Sequence, residues 1–330
     1  MIAADPRVTA AADTTPMPFA ARFRGVQSVP FNFRVGEWRL FSLSRKLAIY
    51  DWEQGPAQTI ALDALQPRAD TAGYLIRGVP EALETKAQSD AWICKVLRRY
   101  PRHFVDLTTT FEDYLRKFSG KTRSTFRRKL KKFQELSGGT TDWKEYRTRD
   151  EVSAFLPLAR EVSSKTYQEK LLGAGLPDSE SFKTQALGRA DRGAVRAYIL
   201  FLHGRPVSYL YLPVEGDRAI YAYLGYDPAQ SEHSPGTVLQ LLAMERLFAE
   251  ASMRVFDFTE GSGQHKQMFA TYSESYIDIV VLERRFANRA LAGFHDGFER
   301  TEARFSALLD RLGIRRWMKM ALRRVFQLGR

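Results

Sequence analysis

The stretch from Val195 to Glu283 constrains this chain more than any other. It places a helix start with anion-binding character between two strands that the spacing makes neighbours. Three apolar runs open it: VRAYILFL (Val195–Leu202), RPVSYLYLPV (Arg205–Val214) and RAIYAYLGY (Arg218–Tyr226). Polar turns at His203-Gly204 and Glu215-Gly216-Asp217 separate them, which predicts a meander of three strands. A loop then becomes a helix at Ser234-Pro235-Gly236, and RVFDFT (Arg254–Thr259) predicts a further strand. A Gly-rich turn, a short helix from Gln264 to about Tyr272 and the strand SYIDIVVLE complete the block.

The tetrapeptide Ser234–Thr237 is the sharpest local signal. Serine can cap free amides, and proline is pre-set for the first helical turn. Gly236 admits a bulky group close to the backbone, and Thr237 adds a hydroxyl. Alone, this pattern fits an ordinary capped helix better than an anion site, since caps far outnumber anion sites. A helix N-terminus exposed at a strand end is the arrangement that receives phosphate groups.

Length and composition narrow the partners. At 330 residues the chain is expected to form two domains. A net charge of +12 and a pI near 9.7 favour an anionic partner: nucleic acid, anionic lipid or a polyphosphate-bearing molecule. The single cysteine, Cys94, cannot form an internal disulfide or a cysteine-based zinc site. No histidine has metal-ligand spacing, and His103, His203 and His295 stand isolated, so no metal is expected. No run reaches the roughly 18 apolar residues of a membrane span. The N-terminal segment lacks a basic leader and contains Asp5 and Asp13, so it is not read as a signal peptide, and a cytoplasmic protein is expected.

Along the chain, residues 1–30 read as a disordered lead-in. Residues 31–140 read as an N-terminal α/β unit, with a strand pair from Gly36, a strand at Gly73–Val79, a helix over Glu81–Tyr100 and a strand over Pro101–Thr108. Thr110 is placed to cap a helix at FEDYLRKF, with Asp113 three residues on. Residues 141–290 begin with the strand WKEYRT and a helix over Glu151–Tyr167. In that helix Val152, Phe155, Leu158, Ala159 and Val162 face inward, and Pro157 disturbs the first turns. A shorter helix is predicted over Ser181–Arg192. Residues 291–330 read as C-terminal helices, Asn288–Leu312 and Ile314–Leu328, broken at Gly313.

Two basic segments stand out. KTRSTFRRKLKK carries seven cations (Lys121, Arg123, Arg127, Arg128, Lys129, Lys131, Lys132) and no acid, with Phe126, Leu130 and Phe133 on one face. It fits a solvated helix face or a phosphate-binding surface. The stacking aromatics of a single-strand binder are missing, so nucleic acid is not the expected partner. Residues 311–330 form a basic amphipathic pattern with Ile314, Met318, Ala321, Val325 and Leu328 on one side. That pattern suits either docking on the core or an anionic membrane surface.

The phrases FEDYLRKFSGKTRSTFRRKLKKF, GRPVSYLYL, YLGYDP, SPGTVLQLLAME and FDFTEGSGQHKQMFA, in that order between Phe111 and about Glu283, resemble the GNAT superfamily of acyltransferases. Within it they are closest in pattern to the cellulose-biosynthesis (CelD-like) and FemAB-like branch. The resemblance implies an α/β (α+β) GNAT fold: a mixed sheet flanked by helices, two such units in tandem, and the basic C-terminal helix appended. It also implies that the strand ending near Tyr226 splays from Arg254–Thr259 to admit the acyl-pantetheine arm of an acyl-CoA. The diphosphate would then rest on His233, Ser234, Pro235, Gly236 and Thr237. The usual GNAT phosphate loop, Arg/Gln-x-x-Gly-x-Gly/Ala, is absent, and SEHSPGT stands in its place.

For acyl transfer the candidates are Asp257, Glu260, His265, Lys266 and Tyr272. Glu260 or His265 could take the amine proton, Lys266 could hold a negative charge, and Tyr272 could protonate the departing thiolate. Asp257 alternates with Phe256 and Phe258 and so is expected to point into the cleft. A solvated loop with a structural Asp–Lys pair is the plainer alternative. The activity expected is N-acyl transfer from a thioester to an amine of an envelope-related acceptor, either a lipid amine such as a sphingoid base or an amino sugar of a polysaccharide. The alternatives are FemAB-like aminoacyl transfer from charged tRNA and a non-catalytic module at the membrane surface.

Overall fold

The computed structural model describes residues 17, 19–35, 38–53, 61–86, 89–166, 175–261 and 263–311. Its elements begin with strands β1 (Ala21–Val35), β2 (Trp38–Trp52), β3 (Gly73–Pro80) and β4 (Trp92–Asp106). Helices α1 (Phe111–Arg116) and α2 (Gly120–Leu136), strand β5 (Trp143–Tyr146), and helices α3 (Arg149–Lys165) and α4 (Glu180–Asp191) follow. Next come β6 (Val195–Leu202), β7 (Arg205–Glu215), β8 (Arg218–Ile220), β9 (Tyr223–Tyr226) and helix α5 (Pro235–Phe248). The last are β10 (Val255–Glu260), α6 (Gln264–Phe269), β11 (Tyr272–Glu283) and α7 (Phe286–Arg311).

The chain divides into two compact units. One lies within Tyr100–Glu274; the other joins residues before Tyr100 to those from Ser275 onward. The second is therefore built from both ends of the sequence, whereas reading along the chain suggested consecutive segments 1–30, 31–140, 141–290 and 291–330.

In the first unit the strand order is β4-β10-β8-β7-β6-β5, with β9 paired to β7. Neighbours are antiparallel except β8 and β10, which run parallel. Strand β6 is buried along nearly its whole length because both of its faces are covered, and its one charged residue, Arg196, pairs with Glu250. Tyr198, Leu200 and Leu202 enter a core shared with α1, α2 and α5, while Val195, Ala197 and Ile199 enter a second core with α3 and α4. Helix α1 is capped by Thr110, whose hydroxyl accepts from the Asp113 amide, as its spacing suggested. Helix α2 starts at the Ser119 cap and buries Phe126 and Phe133. Helix α3 opens on a full capping box between Thr148 and Glu151 and keeps Pro157 inside it on an exposed position.

The second unit has the order β1-β2-β3-β11. Strand β1 occupies part of the segment expected as a lead-in, and it pairs with β2 from Ala21↔Trp52 to Val35↔Trp38. The helix expected over Glu81–Tyr100 is not formed. A 3-10 turn covers Glu81–Lys86, and Trp92 begins a strand. The reason is a period-2 pattern hidden in an apolar run. Trp92, Cys94 and Val96 go to one core and Ile93 and Leu97 to another, which a helix could not do. Helix α7 covers the first of the two expected C-terminal helices; the second, Ile314–Leu328, lies outside the described residues.

Candidate active site

The meander of the first unit departs from the expected single strand over Arg218–Tyr226. Strand β8 pairs with β10 through Val255↔Arg218, Phe256↔Ala219 and Asp257↔Ile220, and the Tyr221 amide donates to the Asp257 carbonyl at 2.8 Å. After Tyr221 the chain leaves β10. Strand β9 pairs only with β7, from Tyr211↔Tyr223 to Ser208↔Tyr226. Among the described residues, Phe258–Glu260 therefore has no strand partner on that side, and the sheet opens between β9 and the end of β10.

The helix start lies directly beyond β9. Asp227 accepts from the Ala229 amide at 3.0 Å and caps a 3-10 turn, Pro228–His233. Ser234 takes a left-handed conformation, φ 53°, and joins this turn to α5. Its side chain makes no capping hydrogen bond, contrary to the expectation for the Ser-Pro pair. Its carbonyl instead accepts from the Thr237 and Val238 amides, at 3.0 and 3.1 Å. Pro235 has no N–H, which leaves Gly236 as the amide at the head of the helix. A side chain at Gly236 would put a Cβ 3.2 Å from Tyr226 Cδ1 and 3.4 Å from Leu224 Cδ2, so glycine lets α5 seat closely on β9. Pro235 and Gly236 are buried, while His233, Ser234 and Thr237 are half-buried.

The candidate catalytic residues fall into two adjoining groups. Asp257 is fully buried and accepts from Arg102 at 2.5 Å, Arg218 at 3.1 Å and the Thr259 amide at 2.7 Å. The carboxylate expected to point into the cleft is thus fully buried and taken up by these three donors. Both guanidinium groups lie over the Phe104 ring, at 5.9 and 5.3 Å. Tyr272, 39% exposed, stacks on the same ring at 5.1 Å. Glu260 is exposed opposite Arg102. Between Asp257 and Glu260 the β10–β4 register breaks, and Thr259 takes φ 62°. Lys266 reaches back to this break, donating to the Glu260 carbonyl at 2.6 Å and to Thr259 Oγ1 at 3.3 Å. Burial pushes its pKa below the usual lysine value, with Arg102 acting the same way against Asp257 and Glu260.

His265 faces the other way. Its Nε2 is 2.6 Å from Gln240 Oε1 on α5, and its ring packs at 4.8 Å from Phe269 and 6.3 Å from Phe258. Burial lowers its pKa, and the positive charges of Lys266 and of Lys129 on α2 add to the effect. These influences favour the neutral ring, although the residue as a whole is exposed to solvent. Arg102, Arg218, Thr259, Gln240 and Lys129 were not foreseen as site residues. Gln240 alone carried a usable signal, as a glutamine within the apolar run TVLQLLAM.

In the second unit, His295, Asp296 and Glu299 bring possible metal-ligand atoms within 4.8 Å of one another. Lys95 already holds both carboxylates, Glu299 at 2.9 Å, and offsets one of their two charges.

With this geometry in view, the comparisons with known proteins are informative. Residues 120–267 match the family described as Acetyltransferase (GNAT) domain. Among solved structures, the fold is similar to FemX, with TM-score 0.54, 12% identity, and coverage of 81% of this chain and 90% of that one. It is also similar to a conserved protein of unknown function from Bacteroides thetaiotaomicron VPI-5482, with TM-score 0.50, 13% identity, and coverage of 74% and 83%. The C-terminal domain of a lysylphosphatidylglycerol synthetase from Agrobacterium fabrum aligns at TM-score 0.48 and 13% identity, covering 69% of this chain and 72% of that one. No curated protein sequence matches the chain. Residues 120–267 thus match a GNAT acetyltransferase domain, and the chain has a GNAT/FemAB-like fold with a mixed sheet flanked by helices. That domain marks the protein as an N-acyltransferase.

Proposed function

We propose that this protein moves an acyl group from acyl-CoA to the amine of an envelope-related acceptor. The observation that carries this reading is the parted sheet: β8 and β10 pair in parallel, and the partnership ends at Tyr221. In the proposal the acyl-pantetheine arm enters that opening, and the diphosphate meets the helix start at His233, Ser234, Pro235, Gly236 and Thr237. The amine nitrogen bonds to the thioester carbonyl carbon and the C–S bond breaks. His265, or Glu260 through water, takes the amine proton, while Lys266 faces the developing negative charge and Tyr272 is placed to protonate the thiolate. Asp257 holds Arg102 and Arg218 in position. The lead acceptor is a lipid amine such as a sphingoid base, with an amino sugar as the other choice. Under this reading the unit made from both chain ends is the counterpart of the tandem unit expected from the sequence.

Purified protein incubated with a panel of acyl-CoAs and amines is expected to release free CoA thiol with one class of amine. CoA is also expected to raise the melting temperature. Absence of both effects overturns the reading. Among the described residues no helix is long and apolar enough to cross a membrane. Attachment through residues 311–330 is tested by flotation with anionic vesicles, with and without that segment.

A second reading is supported by α2, where Arg127, Arg128, Lys131 and Lys132 are exposed beside only one acid of the same helix, Glu135. Such a face suits the phosphates of a charged tRNA as donor carrier. Salt-dependent tRNA binding with aminoacyl transfer would establish it in place of acyl-CoA, and indifference to tRNA at low salt would remove it.

A further inference from the structure

We infer that Gln240 is a positioning residue that fixes the tautomer of His265, so that His265 presents Nδ1 as the proton-accepting atom of the site. The inference rests on the acyl-transfer reading and adds a residue and a direction of proton flow to it.

Gln240 lies on α5, one turn into the helix from Gly236, and is fully buried. Its Oε1 is 2.6 Å from His265 Nε2. An amide oxygen accepts but cannot donate, so this contact requires the hydrogen on Nε2 and leaves the lone pair on Nδ1. The other end of the amide, Gln240 Nε2, is buried and has no partner among the described residues. A buried glutamine with only one end satisfied is a poor stabilising device, and apolar Met or Leu would fill the same core position at less cost. Its single satisfied contact is the one to the imidazole.

The surroundings favour the neutral form of that imidazole. The charged groups that act on it are Lys266 on its own helix and Lys129 on α2; α5 contributes the uncharged Gln240, and β10 the Phe258 ring. Among the described residues, no carboxylate figures among the causes of its shift. A neutral ring with a fixed Nε2–H can take one proton at Nδ1 when the C–N bond of the product forms. Tyr272 protonates the sulfur as the C–S bond breaks and regains a proton from solvent, to which His265 releases its own, so protons balance over the cycle. Because Gln240 shares α5 with the helix start at Gly236, donor seating and ring orientation are set by one rigid element.

The test is long-range nitrogen-15 NMR of the imidazoles in the full chain, with His265 assigned through the His265→Gln variant. The expected result is the Nε2–H tautomer, titrating below the ordinary histidine value. In Gln240→Met the single tautomer should give way to a mixture. In Gln240→Glu the titration should move upward by about one pH unit or more, because a carboxylate favours the imidazolium. If the acceptor amine is in hand, the acid limb of the rate profile should move with it, while KM for the donor stays near wild type. An Nδ1–H tautomer in the wild type, or a tautomer unchanged in Gln240→Met, overturns the inference. Since the spectrum needs no turnover, that outcome is separate from failure of the transferase reading, which the thiol-release and CoA-melting experiments report.

Discussion

Asp257 in the first unit and Asp278 in the second are both buried carboxylates at a break in strand register, and the two breaks are built from different residues. Asp278 accepts from the Gly78 amide at 3.0 Å and from Arg98 at 2.5 Å, and Gly78 adopts φ 72°. Asp257 accepts from the Thr259 amide at 2.7 Å, with Arg102 and Arg218 beside it, and Thr259 adopts φ 62°. Glycine takes a left-handed backbone at little cost, whereas a β-branched residue there is a true outlier that stores about 1–3 kcal/mol. The second unit uses the device where it is cheap. The first keeps it where it is strained, and there the threonine hydroxyl meets Lys266. Strain retained where a less costly residue would fit sets the β10 break apart from the β11 break, and it accords with the transfer site proposed there.

The largest effect expected is from Asp257→Asn. Removing the charge from a buried carboxylate that holds two guanidinium groups should cost about 3–5 kcal/mol. Denaturant melts would show it, together with loss of transfer. Asp278→Asn should cost less, about 1–3 kcal/mol, because the Arg98 side chain is 44% exposed and can return to water. Its kcat should stay at the wild-type value, and equal loss of turnover in both variants would break the comparison. Next, Lys266→Met should lower the rate about 100- to 1,000-fold, with a melting temperature close to wild type.

Smaller still is Thr259→Gly. It relieves the strained backbone but adds flexibility to the unfolded chain, for a net gain of about 1 kcal/mol or less, and it frees Lys266 from one contact. A more stable but slower protein is the expected outcome; a less stable one would remove strain from the account. The smallest effect concerns pH. The His265 pKa is lowered in the fold, so between the ordinary histidine value and its folded value the unfolded chain binds the extra proton. Stability should therefore hold above about pH 6.5 and decline as pH falls below it. His265→Gln should flatten that decline in thermal melts.

Much of the first unit was legible in the sequence because its signals are local. Thr110 and Asp113, the first two runs of the meander, the inward stripe Val152, Phe155, Ala159 and Val162, and the Ser-Pro-Gly helix start all declare themselves within a few residues, whereas the split of the third run into β8 and β9 does not. The second unit was less legible. Trp92–Leu97 serves two cores at once, and its alternate faces blur into a continuous apolar run that also satisfies helical spacing. The site was half visible. His265, Lys266 and Glu260 crowd one loop, but Arg102 comes from a strand more than 150 residues earlier and joins Asp257 only through sheet pairing.

The order of strands and helices from Trp143 to Glu283, the basic face of α2 and the glycine at the head of α5 were determined by the sequence alone, since periodicity, capping and turn chemistry act between near neighbours. The parting of β9 from β10, the left-handed Thr259, the two arginines on Asp257 and the amide beside His265 were decided only in the tertiary structure. Each depends on which distant segments exclude water from one another, and no short window of residues carries that information.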